Sequence, residues 1–211
     1  MLFIFELHAH LVARQKRKEK DIPTKGMALL LIDMQNDFVS WTPYAMAIVP
    51  NLKKVLMACR ANLVPVIHVI RHYSDDASDV EYPRVENFLK RPFVVGGTPG
   101  AEIIPQLSPT EGEPVIIKKR WSAFFRTGLQ VLLEEKGLNT IIVGGIFTPN
   151  CVRTTVYDSI AHDIVTYVLS DGTASEEPDI QDANILDMIN IGVNVITCSE
   201  LLRTLELKGN V

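Results

Sequence analysis

A three-layer α/β/α domain built on a doubly wound, roughly six-stranded parallel sheet of Rossmann-like type is the fold class this sequence predicts. Three observations carry it. Short, continuous apolar runs recur along the chain between turn residues, as strands buried on both faces require. Helical periodicities of roughly 10–15 residues separate the later runs, which is the rhythm of βαβ units. The 211 residues, 47% hydrophobic and 22% charged, suit one large domain and exclude a disordered or collagen-like chain.

The first strand is Ala28–Asp33 (ALLLID), apolar up to its terminal acid. Pro50–Asn62 follows as a helix, with Leu52, Val55, Leu56 and Cys59 on one face. Pro65–Ile70 (PVIHVI) is the second strand, in which His68 is read as facing core or helix. Val115–Lys118 is the third strand, Thr140–Gly144 the fourth, Ile164–Leu169 the fifth and Val193–Thr197 the sixth. Helices are expected at Thr127–Lys136, Asn150–His162, Asp179–Ile191 and near Ser199–Leu207, with Gly137 and Gly192 as stops. Arg71–Glu113 breaks the rhythm with several prolines, a GGTPG turn and short helices only around Val85–Leu89 and Ala101–Ile104. So long an irregular segment after a strand's carboxyl end is read as a wall or lid over a binding crevice.

Charge divides the chain at Met27. Residues 1–26 hold six basic and three acidic residues, a local +3, and the remaining 185 hold 15 and 22, or −7. The expected organisation is therefore a basic N-terminal arm, 1–26, and a single folded domain, 27–211. The cluster Arg14, Lys16, Arg17, Lys18 and Lys20 is read as a solvated helical arm that docks through Leu2, Phe5 and Leu11–Val12. A nucleic-acid or membrane-surface patch and a natural start at Met27 are the competing readings. The acidic body argues against nucleic acid as a partner. No apolar run approaches the roughly 18–20 residues of a membrane span, so no membrane is expected either. Cys59, Cys151 and Cys198 are odd in number and far apart, which points to a reducing, cytoplasmic setting rather than a disulfide framework.

In an open α/β sheet the ligand sits outside the carboxyl ends of the strands. Asp33 follows strand 1, Arg71 and His72 follow strand 2, Lys118 closes strand 3 and Cys151 follows strand 4. Cys151 lies at a strand–turn–helix transition, where unpaired N–H groups and the helix dipole favour a thiolate, and Lys118 would favour it further. Asp33 at the same rim is placed to take the thiol proton and pass it to a leaving nitrogen. Taken singly, Cys151 reads as an inert buried thiol, Asp33 as a cap and Lys118 as a solvated lysine. Their coincidence at one rim argues otherwise. Cys59 and Cys198 have no basic partner in view and read as structural.

The segments ALLLIDMQNDF, IKKRWSAFF and GIFTPNCVRTTVYDS resemble the three catalytic segments of the isochorismatase-like cysteine hydrolases, in the right order, over about residues 27–205. The resemblance implies an Asp33–Lys118–Cys151 triad, with Lys118 selected over Lys119. It also implies a cis peptide at Ile146–Phe147, which would aim the Phe147 and Cys151 N–H groups at one point as an oxyanion hole. The motif D-x-Q-x-D-F falls on Asp33, Gln35, Asp37 and Phe38, and Gln35 is taken as substrate-binding with Phe38, Trp41 and Trp121 as an apolar wall. A subunit interface is the other reading of Trp121. Nicotinamidases of the family often carry a metal around an Asp-x-His element after strand 2; here IRHYSDDASD lacks it, so no metal or other cofactor is expected. True isochorismatases cleave a vinyl ether and typically lack the cysteine, so its presence favours C–N hydrolysis of a small amide or ureide through a thioester. The GGTPGAEIIPQL and TPNCVRTT stretches look most like the N-carbamoylsarcosine, ureidoacrylate and biuret amidohydrolases. Those substrates usually carry a carboxylate or urea-like group, and Arg71 is the expected anion clamp, a solvated loop arginine being its other reading. The resemblance further implies a homo-oligomer. A vinyl-ether hydrolase that tolerates loss of Cys151, and a non-catalytic binding or scaffold protein, are the alternatives.

Overall fold

A computed structural model describes residues 22–23 and 25–208. The basic cluster and the apolar anchors assigned to the arm lie outside the described residues. Of residues 22–26, Ile22 is buried in the core, and Gly26 O accepts hydrogen bonds from the Asn139 and Thr140 N–H groups (2.9 and 3.0 Å).

Six strands form one sheet: β1 (Met27–Ile32), β2 (Val66–Arg71), β3 (Val115–Lys118), β4 (Thr140–Ile146), β5 (Val165–Ala174) and β6 (Asn194–Ile196). The order is β3-β2-β1-β4-β5-β6 and every pairing is parallel, so the fold is the doubly wound α/β class. Seven helices accompany it among the described residues: α1 (Asn36–Trp41), α2 (Ala45–Ala61), α3 (Val85–Lys90), α4 (Leu129–Glu135), α5 (Arg153–Ala161), α6 (Pro178–Asn190) and α7 (Cys198–Lys208). None is long and apolar enough to cross a membrane.

Side-chain alternation along the strands builds two cores. Leu29 and Leu31 of β1 pack with Leu52, Val55 and Leu56 of α2 and Leu201 and Leu205 of α7. Leu30 and Ile32 point the other way, joining Leu129 and Leu133 of α4, Val156 of α5 and Ile185 and Met188 of α6. A sheet covered on both faces explains why the strands read as continuous apolar runs. β1 and β4 meet where the winding reverses. There Gly145 (φ +120°) lies so close to β1 that a Cβ on it would fall 2.1 Å from Ile32 O.

Three boundaries differ from the sequence reading. α2 begins at Ala45 and runs through Pro50, because burial of Ala45, Ile48 and Val49 outweighs the proline's missing donor. β5 continues to Ala174: an irregularity between Val143 and Gly145 carries pairing on to Gly145↔Thr173 and Ile146↔Ala174. Ser170-Asp171-Gly172 had the composition of a turn. The helix expected from Asn150 starts at Arg153, after a π-helical turn over Thr148–Val152. Gly137 (φ +63°) and Gly192 (φ +96°) follow α4 and α6 closely, in the left-handed conformation their stop role requires.

Glu113, just before β3, ties the open edge of the sheet to α2. It accepts from Arg60 Nε and Nη2 (2.7 and 2.8 Å) and pairs with buried His68 (3.0 Å). Burial would raise its pKa, but the hydrogen bonds from Arg60, the Thr110 N–H and His68 dominate and hold it at about 2 against an ordinary 4.5. A depressed carboxylate stabilises the fold fully above its unfolded value and loses that stabilisation as pH falls from about 4.5 towards 2. Glu113→Gln is expected to remove roughly 1–2 kcal/mol of stability at neutral pH, a figure discounted for the part-exposed Arg60. Urea unfolding of the variant should show a flatter loss of stability across that acid window; an unchanged slope would dismiss the linkage.

Candidate active site

Three strand ends converge beside the point where the sheet reverses. After Ile32 the chain turns at Asp33 with φ +53°, a left-handed conformation that aspartate tolerates better than most residues. Its N–H still donates to Val69 O (2.8 Å), so the turn stays pinned to β2. Lys118, in register with Arg71 across β2–β3, donates from Nζ to Asp33 Oδ2 at 2.7 Å. Asp33, Arg71 and Lys118 are all 0% exposed. Charges removed from water to this extent persist only when paired. Asp33 Oδ1 is buried and has no hydrogen-bond partner.

β4 delivers the third component. The Ile146–Phe147 peptide is cis, as the resemblance implied, and the π-helical turn begins one residue later. The N–H groups of Asn150 and Val152 both donate to Phe147 O (3.1 and 3.2 Å). Cys151 sits within this turn, 1% exposed. Thr155, four residues on, clips the turn to the segment after β3: its Oγ1 donates to Cys151 O (2.7 Å) and accepts from the Ala123 N–H (3.0 Å).

The resting thiol is protonated more firmly than the sequence suggested. Burial raises the Cys151 pKa, and the negative charge of Asp33 raises it further. Lys118 and Arg71 pull it down but do not prevail. Desolvation at this enclosed sulfur opposes the pull that a helix N-terminus exerts towards thiolate. Cys59, pushed up to about 12 by burial alone, has no such charged neighbours.

Arg71 is neither a solvated loop residue nor an open anion clamp. Its Nη1 donates to Tyr73 Oη (2.5 Å) and Glu81 Oε1 (2.6 Å), and its Nη2 to Cys151 Sγ (3.3 Å). Nε is buried with no hydrogen-bond partner, and the side chain is 0% exposed. Gln35 is likewise committed: Oε1 accepts from the Arg71 N–H (2.8 Å), and Nε2 donates to Arg71 O (2.8 Å) and Ala101 O (2.7 Å). It stitches the end of β2 to the irregular segment rather than presenting groups to a ligand. Asp37 has a similar task, accepting from the Val94 N–H (2.7 Å) against Gly100, where a Cβ would fall 2.2 Å from its carboxylate.

A cavity of about 480 Å³ reaches the turn that carries Cys151 through Phe147 and Asn150, while Asp33, Arg71, Lys118 and Cys151 lie outside its lining. Phe38, Trp41, Phe93 and Phe147 line it, with ring centroids 5.2 to 6.1 Å apart for neighbouring pairs. Asn150, Glu176, Asn87, Arg84, Lys90 and Arg91 complete the lining. Phe38 and Trp41 thus line this cavity. Trp121 does not: it is 36% exposed and outside the lining, with Arg84 stacked over its ring at 5.9 Å. Most of the polar lining comes from the Arg71–Glu113 segment, which serves as a wall, with α3 at its centre. Among the described residues no three His, Cys, Asp or Glu side chains gather in a way that could hold a metal ion.

Comparison with known proteins identifies the family and the fold. A family profile described as the Isochorismatase domain matches residues 27–200. The chain is 40% identical over 185 residues to an Arabidopsis thaliana protein named "Probable inactive nicotinamidase", covering 83% of this chain and 94% of that one. It is 29% identical over 181 residues to the ureidoacrylate amidohydrolase of Yersinia enterocolitica, covering 74% and 79% respectively. The crystal structure of an isochorismatase family protein from Desulfovibrio vulgaris superposes with a TM-score of 0.82 at 38% identity, over 86% of this chain and 98% of that one.

Proposed function

Because the chain belongs to the isochorismatase family, we propose that it is a cysteine amidohydrolase, cleaving the C–N bond of a small amide or ureide by way of a thioester on Cys151. The observation that carries the reading is the convergence at one rim of the buried Lys118–Asp33 pair (2.7 Å) and the Cys151 thiol, whose proton Asp33 holds more tightly. A thiol that rests protonated needs a base, and Asp33 is the carboxylate beside it.

In the proposed cycle Asp33 takes the S–H proton as the sulfur attacks the substrate carbonyl. The C–S bond forms while the carbonyl π pair moves to oxygen, facing the Phe147 and Cys151 N–H groups. Collapse of that intermediate breaks the C–N bond, and the proton on Asp33 leaves with the amine. A water deprotonated by Asp33 then hydrolyses the thioester. Lys118 holds the carboxylate in place throughout.

The cavity favours a small planar acyl group bearing an anion: aromatic rings supply the walls, and Arg84, Lys90 and Arg91 supply positive charge against Glu176. The anion-reading role expected of Arg71 is thus reassigned. Arg91 lies 4.9 Å over the Trp41 ring, which fixes its guanidinium at the cavity edge. Arg91→Ala is expected to raise KM for a carboxylate-bearing amide by about tenfold with kcat within about twofold, the pattern of lost uniform binding. An equal effect on an uncharged amide would remove the anion from this reading.

A second reading rests on the name of the Arabidopsis relative: the chain is a catalytically silent member that binds the same class of small molecule. One experiment separates the two. A panel of amides and ureides is assayed for ammonia release while intact-mass spectrometry watches for an acyl adduct on Cys151. Release with an adduct supports the hydrolase; neither, across substrates that bind, supports the silent protein.

A further inference from the structure

Arg71 is charged, wholly enclosed and used by neither the proposed cycle nor the cavity wall. A guanidinium buried only to stabilise the fold would pair all its donors with oxygen. This one leaves Nε buried and unbonded, and turns Nη2 to a sulfur, a weak acceptor while protonated. Behind it stands a matched counter-charge: Glu81 Oε1 takes Nη1, Tyr73 Oη takes the same nitrogen, and Tyr73 in turn donates to Glu81 Oε2.

Resting on the reading of Cys151 as nucleophile, we propose that Arg71 is a further catalytic residue, a fixed cation that stabilises the Cys151 thiolate at the moment it forms, with Glu81 and Tyr73 as the positioning residues that aim and temper it. The charges near the sulfur are then Asp33 from the end of β1, Lys118 from the end of β3 and Arg71 from the end of β2, backed by Glu81. Two are positive and two negative. When the S–H proton moves to Asp33, the carboxylate becomes neutral and the sulfur negative, so the total does not change. The cluster therefore never buries a net charge, and the Arg71–Glu81 pair acts as a dipole with its positive end on sulfur. Arginine suits the task because it stays charged at any working pH. Burial opposes its charge, but the neighbouring Cys151, Asp33, Tyr73 and Glu81 more than restore it.

The test reads the thiol directly and needs no substrate. The rate of Cys151 alkylation by iodoacetamide is measured against pH, with the site resolved by peptide mass spectrometry, in the wild type, Arg71→Met and Glu81→Gln. Loss of the cation should slow alkylation at pH 8 by about tenfold or more. Loss of the counter-charge should accelerate it by about threefold or more, because Glu81→Gln keeps a hydrogen-bonding side chain and unmasks Arg71. A brace with no electrostatic role predicts that both substitutions loosen the same site and shift the rate in one direction. Shifts of the same sign, or none, overturn the proposal. If Arg71→Met does not fold, Arg71→Gln takes its place, and the sign of its shift against that of Glu81→Gln decides. Since alkylation is independent of turnover, a chain that releases no ammonia yet shows opposite shifts would refute the hydrolase reading and leave the Arg71–sulfur coupling standing.

Discussion

Cys151→Ala is expected to lower ammonia release from any accepted amide by about 10⁴-fold or more, to the level of binding and oxyanion stabilisation alone. Every other step of the proposed cycle depends on the C–S bond, so no neighbouring group inherits the chemistry. The change removes one sulfur from a site where Arg71 is already paired with Glu81 and Lys118 with Asp33. Its cost to stability should therefore be small, about 1 kcal/mol. Circular dichroism and urea unfolding establish that the variant is folded, and ammonia release with intact-mass analysis reads the chemistry. A folded variant with a tenth of wild-type activity would end the covalent mechanism and return the vinyl-ether chemistry to consideration.

Lys118→Met should cost stability as well as activity. It keeps the length of the side chain while leaving the Asp33 carboxylate wholly enclosed, with neither oxygen hydrogen-bonded. Breaking a buried pair from one side costs roughly 3–5 kcal/mol, or about 6–20 °C in Tm for a chain of this size. Activity should fall by about 10²–10⁴-fold, the usual range for a displaced general base. The companion variant Asp33→Asn/Lys118→Met removes both charges and keeps a residue that accepts positive φ at position 33. It should regain most of the stability and none of the activity. If the single variant were as stable as the wild type, the pair would have no structural weight.

The fold was legible because its sheet is covered on both sides. Strands such as ALLLID and PVIHVI carry no polar face, and the rims they end on could be read off in order. Asp33, Lys118 and Cys151 are each the residue at or just beyond such an end, so topology alone brought them together. Arg71 stood at a rim too, yet its partners did not. Glu81 lies ten residues on in an aperiodic segment, and nothing in its sequence neighbourhood signals that it turns back to meet a buried guanidinium. The same limit hid Phe93 and the α3 cations, whose places depend on how an irregular wall packs. The hydrogen bonds of Gln35 were not legible either, because a motif gives the identity of a side chain but not the acceptors it will find. For Cys151, burial pushes the thiol up where a helix terminus alone would pull it down, and the energetic weight of complete burial is a tertiary property.

Trp41 has a practical implication. It lines the cavity, its indole Nε1 is buried without a hydrogen-bond partner, and Arg91 covers its ring. The chain has just two tryptophans, and the other, Trp121, stands outside the lining. Indole emission responds to nearby charge and hydrogen bonding, so the cavity carries its own fluorophore. With Trp121→Phe as background, occupancy of the site becomes an optical signal, available even when the sulfur has been removed. Ligand affinities can then be ranked before any turnover has been seen.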